Sequence, residues 1–299
     1  MTEKGIVLQI RREVMNTVRT VPRTACINDL SGYGRCSLTT ALPVLSVMGV
    51  QACPVPTAVL SKHTGFPAFS FHDLTDTLPR FFETWDDLDF DAVYSGFLGS
   101  IGQIAVVRSF FETQRRKNPA CMILLDPVMG DGGKRYSTYT AELCTAMREL
   151  VSHADIITPN ITEACLLTDT PYHGEALHDA EADALAEKLL RLGCGAAVIT
   201  GIVQENTIGN LTVDGRSRTF TKVHRTECLF SGTGDLFASV LCGALMRGCT
   251  LPDAVALAGA FLSDVTVFTM QKNTPAKEGI LFEPLLIKLE PYLQQYTGK

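Results

Sequence analysis

From Arg23 to Gly201 the chain repeats one pattern: an apolar run, often β-branched, then a polar or glycine-bearing break, then a segment long enough for a helix. The runs Thr24–Asn28, Val50–Val59, Ala92–Ser95, Cys121–Leu125, Ile156–Thr158 and Ala197–Thr200 predict strands. Between them Ser37–Met48, Leu74–Trp85, Gln103–Arg116, Ala141–Val151, Ala164–Leu167 and Glu181–Leu192 predict helices, the first kinked or shifted by Pro43. Apolar strands separated by helices belong to a parallel sheet, because each parallel connection needs a crossover and the crossovers cover both faces. The expected fold class is α/β, a doubly wound, mostly parallel sheet.

Residues 206–223 break the rhythm: Asn206–Val213, then Asp214-Gly215, then Ser217–Val223 predict a β-hairpin with a tight turn. Two helices follow, over 236–247 and 253–270, the second rich in Ala and Gly for close packing. No internal repeat or low-complexity linker marks a second domain, so residues 23–299 are expected to form one domain. Residues 1–22 precede it as an extension that either packs on the fold or frays as a tail.

At 299 residues and 46% hydrophobic content the chain can bury a large core. A net charge of −6 argues against a nucleic-acid partner or a polybasic membrane surface. No apolar run in the sequence reads as a membrane span, and the amino terminus lacks the apolar core and small-residue cleavage site of a secretory leader. The ten cysteines fall singly, with no Cys-x-x-Cys pair, and read as free thiols of a reducing compartment. A cytoplasmic protein is expected.

Chemistry concentrates first in Ser231-Gly232-Thr233-Gly234-Asp235, where a polar turn gives way to an apolar helix. Two glycines let the backbone aim successive N–H groups at one point, at the positive end of that helix, so an anion fits there. Asp235 is then out of place unless a metal or a proton offsets its charge. One answer makes it the base that deprotonates a hydroxyl attacking a phosphorus held by the turn; the other makes the turn a capped loop. The segment alone does not separate them.

Ligands of parallel α/β sheets bind outside the carboxyl ends of the strands. The residues at those ends are Asn28-Asp29, Ser61 to Gly65, Gly96-Phe97, Asp126 to Asp131, Thr158 to Glu163 and Thr200-Gly201, all polar or glycine-bearing stretches. Asp126 and the pair Asn160 and Glu163 supply hard oxygen donors that suit Mg²⁺ directly or through water, although Asn160-x-x-Glu163 also has the spacing of a helix capping box. Thr158 and Thr200 can bond phosphate oxygens, or be threonines that merely favour strands. His63 can meet a substrate oxygen or ring nitrogen, or be a surface histidine.

Taken together, Asp126-Pro127-Val128-Met129-Gly130-Asp131, Thr158-Pro159-Asn160-Ile161-Thr162-Glu163, Ser61-Lys62-His63-Thr64-Gly65, Tyr94-Ser95-Gly96-Phe97-Leu98-Gly99 and Gly232-Thr233-Gly234-Asp235 resemble the pyridoxal kinases of the ribokinase-like superfamily, in register from about residue 23 to 270. The resemblance implies a three-layer α/β/α fold with a small β lid, a homodimer, and ATP-dependent phosphorylation of the 5′-hydroxyl of a vitamin B6 vitamer. It implies ATP and Mg²⁺, with a monovalent cation left open. By matching position Asp235 would be the base and Gly232, Thr233 and Gly234 the anion hole. Asp126, Asp131, Asn160 and Glu163 would serve Mg-ATP, with Asp126 and Glu163 on the metal, and Thr158 and Thr200 the phosphates. Asn28, Thr64 and Gly65 would meet the pyridine ring, beside His63 and Phe97.

Two positions depart from the pattern: Asn28 stands where many such kinases have serine, and Phe97 where some have tyrosine. The loop Asn28-Asp29-Leu30-Ser31-Gly32-Tyr33-Gly34 also resembles the hydroxymethylpyrimidine kinases, which act on a similar flat heterocycle. The rival expectations are therefore a hydroxymethylpyrimidine or dual-specificity kinase, and a non-catalytic B6- or nucleotide-binding protein.

Overall fold

The computed structural model describes residues 21–226 and 230–294; the expected extension therefore lies outside the described residues up to position 20. In chain order the strands are β1 (Arg23–Ser31), β2 (Gln51–Leu60), β3 (Phe71–Asp73), β4 (Ala92–Ser95), β5 (Met122–Leu125), β6 (Gly130–Asp131), β7 (Lys134–Arg135), β8 (Ile156–Ile157), β9 (Ala196–Gln204), β10 (Thr207–Asp214) and β11 (Arg218–His224). The helices are α1 (Ser37–Val47), α2 (Leu78–Glu83), α3 (Ile101–Lys117), α4 (Ala141–Val151), α5 (Ile161–Thr168), α6 (Asp179–Arg191), α7 (Thr233–Met246) and α8 (Leu251–Gln271).

The main sheet has nine strands in the order β11-β10-β9-β8-β5-β4-β1-β2-β3. Strands β9, β8, β5, β4, β1 and β2 run parallel, and both edges are closed by antiparallel strands. Side chains alternate between two cores. Ala25, Ile27, Val93, Ile123 and Leu125 face a core shared with α3 to α6. Cys26, Tyr94, Met122, Leu124 and Ile156 face one shared with α1, α7 and α8. This period-2 alternation makes the expected α/β/α layers, since each face of every central strand is apolar. A two-stranded ribbon, β6–β7, stands apart from the sheet.

Three elements differ from the sequence reading. The helix expected over Leu74–Trp85 contracts to Leu78–Glu83, with Pro79 in its first turn, because Phe71–Asp73 pairs with the end of β2. Strand β9 continues past Thr200 to Gln204, since it pairs with β8 early in its length and with β10 along all of it. Helix α8 is long and apolar enough to cross a membrane by composition, contrary to expectation, with a mean hydropathy of 1.5. It is a core helix: Ala254, Val255, Ala258, Phe261 and Val265 are buried in the second core.

The feature that prepares the site is at the end of β1. Its pairing with β2 shifts register between Asn28 and Leu30, where Asp29 alone stands opposite Thr57 and Ala58, a bulge in β2. Such a bulge re-aims side chains at a sheet end. Strand β1 lies between β2 and β4, where the order reverses, and a crevice opens at such a switch point.

Candidate active site

Helix α7 starts at that crevice. Its N-cap is Gly232, which has φ +79° and offers no side-chain cap, so the first N–H groups of the helix have no partner within it. A Cβ at Gly232 would lie 1.8 Å from the Arg35 carbonyl oxygen, so glycine is required by conformation and by space. Gly234 is exposed, and a Cβ there would meet only Asp126 Oδ2, at 3.9 Å. The uncapped turn therefore looks across open space at Asp126.

Asp235 is the third residue of α7. Its carboxyl is half-buried and ringed closely by protein. Burial pushes it up to about 6; the Ser37 backbone N–H opposes this, the Asp29 charge adds to it, and the Asn28 amide opposes it. Asn28 is itself fixed. Its Oδ1 accepts the N–H of Asp29 at 3.0 Å and of Phe97 at 2.9 Å, which leaves Nδ2 to donate to Asp235 Oδ1 at 3.2 Å. Gly96 permits this approach, because a Cβ there would sit 2.3 Å from Asn28 Nδ2.

On the other side, Asp126 Oδ1 accepts the Thr158 hydroxyl at 3.1 Å. Burial, and after it the charge of Asp235, pushes Asp126 up to about 7. Glu163 is raised too, by burial and by Asp126. The capping box is real: Asn160 Oδ1 accepts the Glu163 N–H at 2.9 Å while Glu163 Oε2 accepts the Asn160 N–H at 2.8 Å. Glu163 Oε1 accepts from Met129, and Asn160 Nδ2 donates to the Gly130 carbonyl, so this pair pins the ribbon β6–β7 to the start of α5. Asp131 is exposed at the ribbon's tip. Thr200 bridges to Asn160 and donates its N–H to the Pro159 carbonyl at 2.9 Å.

The loop after β2 closes the crevice. Thr64 and Gly65 are exposed, and a Cβ on Gly65 would lie 4.0 Å from Ser231 Oγ, which places the loop beside the α7 turn. Phe97 is half-buried next to Asn28. His63 is buried, so it is not the surface histidine that the sequence also allowed. Its Nδ1 accepts the Gly65 N–H at 3.1 Å, which assigns the proton to Nε2, and Nε2 donates to the Lys277 carbonyl at 2.7 Å. It ties the loop to the segment at Ala276–Glu278.

The family model described as phosphomethylpyrimidine kinase matches residues 38–278. The chain belongs to the phosphomethylpyrimidine kinase family. Similar proteins in this family include a Bordetella avium pyridoxine/pyridoxal/pyridoxamine kinase, 30% identical over 82% of this chain and 88% of its own. A Bacteroides thetaiotaomicron protein assigned as a phosphomethylpyrimidine kinase and solved with pyridoxal is 38% identical, with a TM-score of 0.85, over 90% of this chain and 96% of that one. Pyridoxal kinase from Lactobacillus plantarum is 31% identical, with a TM-score of 0.82, over 90% and 96%.

Sequence reasoning assigned no role to Asp29, Ser31 or Ser37. Asp29 stood in the strand-end list, but nothing in a single sequence shows its two serine partners. Ser37 has φ +50°, a conformation that no local pattern announces. Cys36, between them, is pushed well above the usual thiol range by burial and by the charges of Asp235 and Asp29, so it stays a thiol.

Proposed function

We propose that this chain transfers the γ-phosphoryl group of ATP to the 5′-hydroxymethyl group of a vitamin B6 vitamer, in salvage of pyridoxal phosphate. The observation that carries this is the position of Asp235: an ionisable carboxylate held by Asn28 at the switch point, in the first turn of a helix whose N-cap supplies no side-chain cap. Asp235 takes the proton of the attacking hydroxyl as the new O–P bond forms and the bond to ADP breaks. The N–H groups of Gly232, Thr233 and Gly234 and the α7 dipole stabilise charge on the transferring group. Asn28, Thr64, Gly65 and Phe97 shelve the ring; Thr158, Thr200, Asn160 and Asp131 line the nucleotide side.

The donors fit Mg²⁺ shared with a nucleotide. Among the described residues no group of three His, Cys, Asp or Glu converges, so the chain supplies part of a coordination shell, as this ion requires when phosphates and water complete it. Asp126 would hold the ion through Oδ2, and Glu163 through water, since both Glu163 oxygens already accept backbone N–H groups. When bound, Mg²⁺ supplies positive charge to the phosphates. A cytoplasmic homodimer is part of the proposal, in keeping with cysteines that are all free among the described residues.

A second reading is phosphorylation of hydroxymethylpyrimidine, whose ring is that of the phosphomethylpyrimidine named by the matching family model. Kinetics on pyridoxal, pyridoxamine and hydroxymethylpyrimidine side by side, read by ADP release, decide between them. The proposal expects kcat/KM to be highest for a B6 vitamer; a preference for the pyrimidine reverses it, and no ADP release with any of the three makes the chain a binding protein. Asp235→Asn should lower kcat by orders of magnitude at unchanged nucleotide affinity; turnover near the parent rate would show that Asp235 is not the base.

A further inference from the structure

Asp29 has a job that the phosphoryl transfer has not yet used. It is 6% exposed, and both carboxylate oxygens are occupied: Oδ2 accepts the Ser31 hydroxyl at 2.7 Å and Oδ1 the Ser37 hydroxyl at 2.5 Å. A carboxylate buried on two hydroxyls is costly to keep, and its oxygens cannot reach a ligand without breaking those bonds.

Its partner Ser37 is equally unusual. It is the first residue of α1, the Cys36 N-cap before it makes no side-chain cap, and its φ of +50° is disfavoured for any residue with a Cβ. The N–H of a first helical residue has no acceptor within the helix. The start of α1 packs against the start of α7, since a Cβ on Gly232 would lie 3.4 Å from Cys36 Cα, and there the Ser37 N–H stands beside Asp235 and favours its ionised form.

We infer that Asp29 is a positioning residue for Asp235: by anchoring the Ser37 hydroxyl it holds that backbone in the left-handed turn that aims the Ser37 N–H at the Asp235 carboxylate, opposite the Asn28 amide. The β2 bulge opposite Asp29 interrupts the ladder at the anchor, and the strained turn persists because the anchor over-determines it. The inference rests on Asp235 being the base.

The test is a mutant cycle on the full-length protein with pyridoxal and ATP. Asp29→Ala and Ser37→Ala should each lower kcat by roughly 10- to 100-fold, the scale of a misplaced reacting group, with both KM values within about threefold of the parent. The double variant should be no slower than the slower single one, because both remove the same device. Ser37→Gly placed on Asp29→Ala should recover part of the lost kcat, since glycine adopts φ +50° without an anchor; a merely structural carboxylate predicts no such rescue. Asp29→Ala with kcat within about twofold of the parent, losses that multiply, or a change confined to KM each overturn the inference. If Asp29→Ala does not fold, Asp29→Asn and Ser37→Ala carry the same cycle. Asp235→Asn alone separates the two layers: parent-like turnover removes the base, whereas a slow Asp235→Asn beside an unimpaired Asp29→Ala removes only the anchor.

Discussion

Asn28 donates its side-chain N–H to Asp235 Oδ1 at 3.2 Å across a sequence separation of 207 residues. The amide's orientation is set by two backbone donors on its oxygen, so the end of β1, the loop after β4 and the start of α7 are locked in one register. Replacing that donor by an acceptor is therefore the sharper perturbation. Asn28→Asp should place a second carboxylate against Asp235 and move the acid limb of kcat/KM to higher pH than in the parent, with a larger loss of kcat at pH 7 than Asn28→Ala. Matching pH profiles for the two variants would show that the contact does not tune Asp235.

The parent's own pH profile follows from burial. A base raised to about 6 is ionised at pH 7 and protonated below. The expected kcat/KM falls about tenfold per unit below pH 6. An acid limb in the ordinary carboxylate range, near pH 4, would contradict the placement of Asp235 as the titrating base.

The same burial has a cost for the ligand-free fold. Asp126 and Asp235 rise to about 7 and 6, and Asp29 is raised as well, all by desolvation first. A carboxyl raised in the folded state favours folding when protonated; that contribution is whole below the unfolded value of about 4 and is lost as pH rises through 6 and 7. Ligand-free protein should thus be more stable to urea at pH 5 than at pH 8. Asp126→Asn should gain on the order of 1–3 kcal/mol at pH 8 while losing kinase activity. Equal urea midpoints for parent and variant at pH 8 would refute the strain at Asp126.

The two glycines of the turn should behave differently. Gly232→Ala forces a Cβ to 1.8 Å from the Arg35 carbonyl at a positive φ, and should cost about 2 kcal/mol or more by thermal unfolding. Gly234→Ala meets nothing closer than 3.9 Å and should melt near the parent temperature, yet raise KM for ATP because its methyl enters the space between the turn and Asp126. A stable Gly232→Ala, or a Gly234→Ala with parent kinetics, would be the contrary results.

What could be read before any coordinates were known was whatever local order encodes. Continuous apolar runs between helical segments determined the layers of the sheet, and Ala92–Ser95 and Ala141–Val151 matched to the residue, because a strand buried on both faces and a helix buried along one stripe each leave a one-dimensional trace. The glycine turn and the strand-end polar residues were visible for the same reason. Tertiary structure decided what each does with its hydrogen bonds. It spent His63 on Lys277, closed Asn160 and Glu163 into a cap that holds the ribbon, and set Asn28 and Ser37 around Asp235. Apart from the Asn160–Glu163 cap, whose spacing is local, these are contacts between residues far apart in the chain, prepared by a bulge and a left-handed serine. Neither leaves a periodic trace in sequence, so only the folded chain could show them.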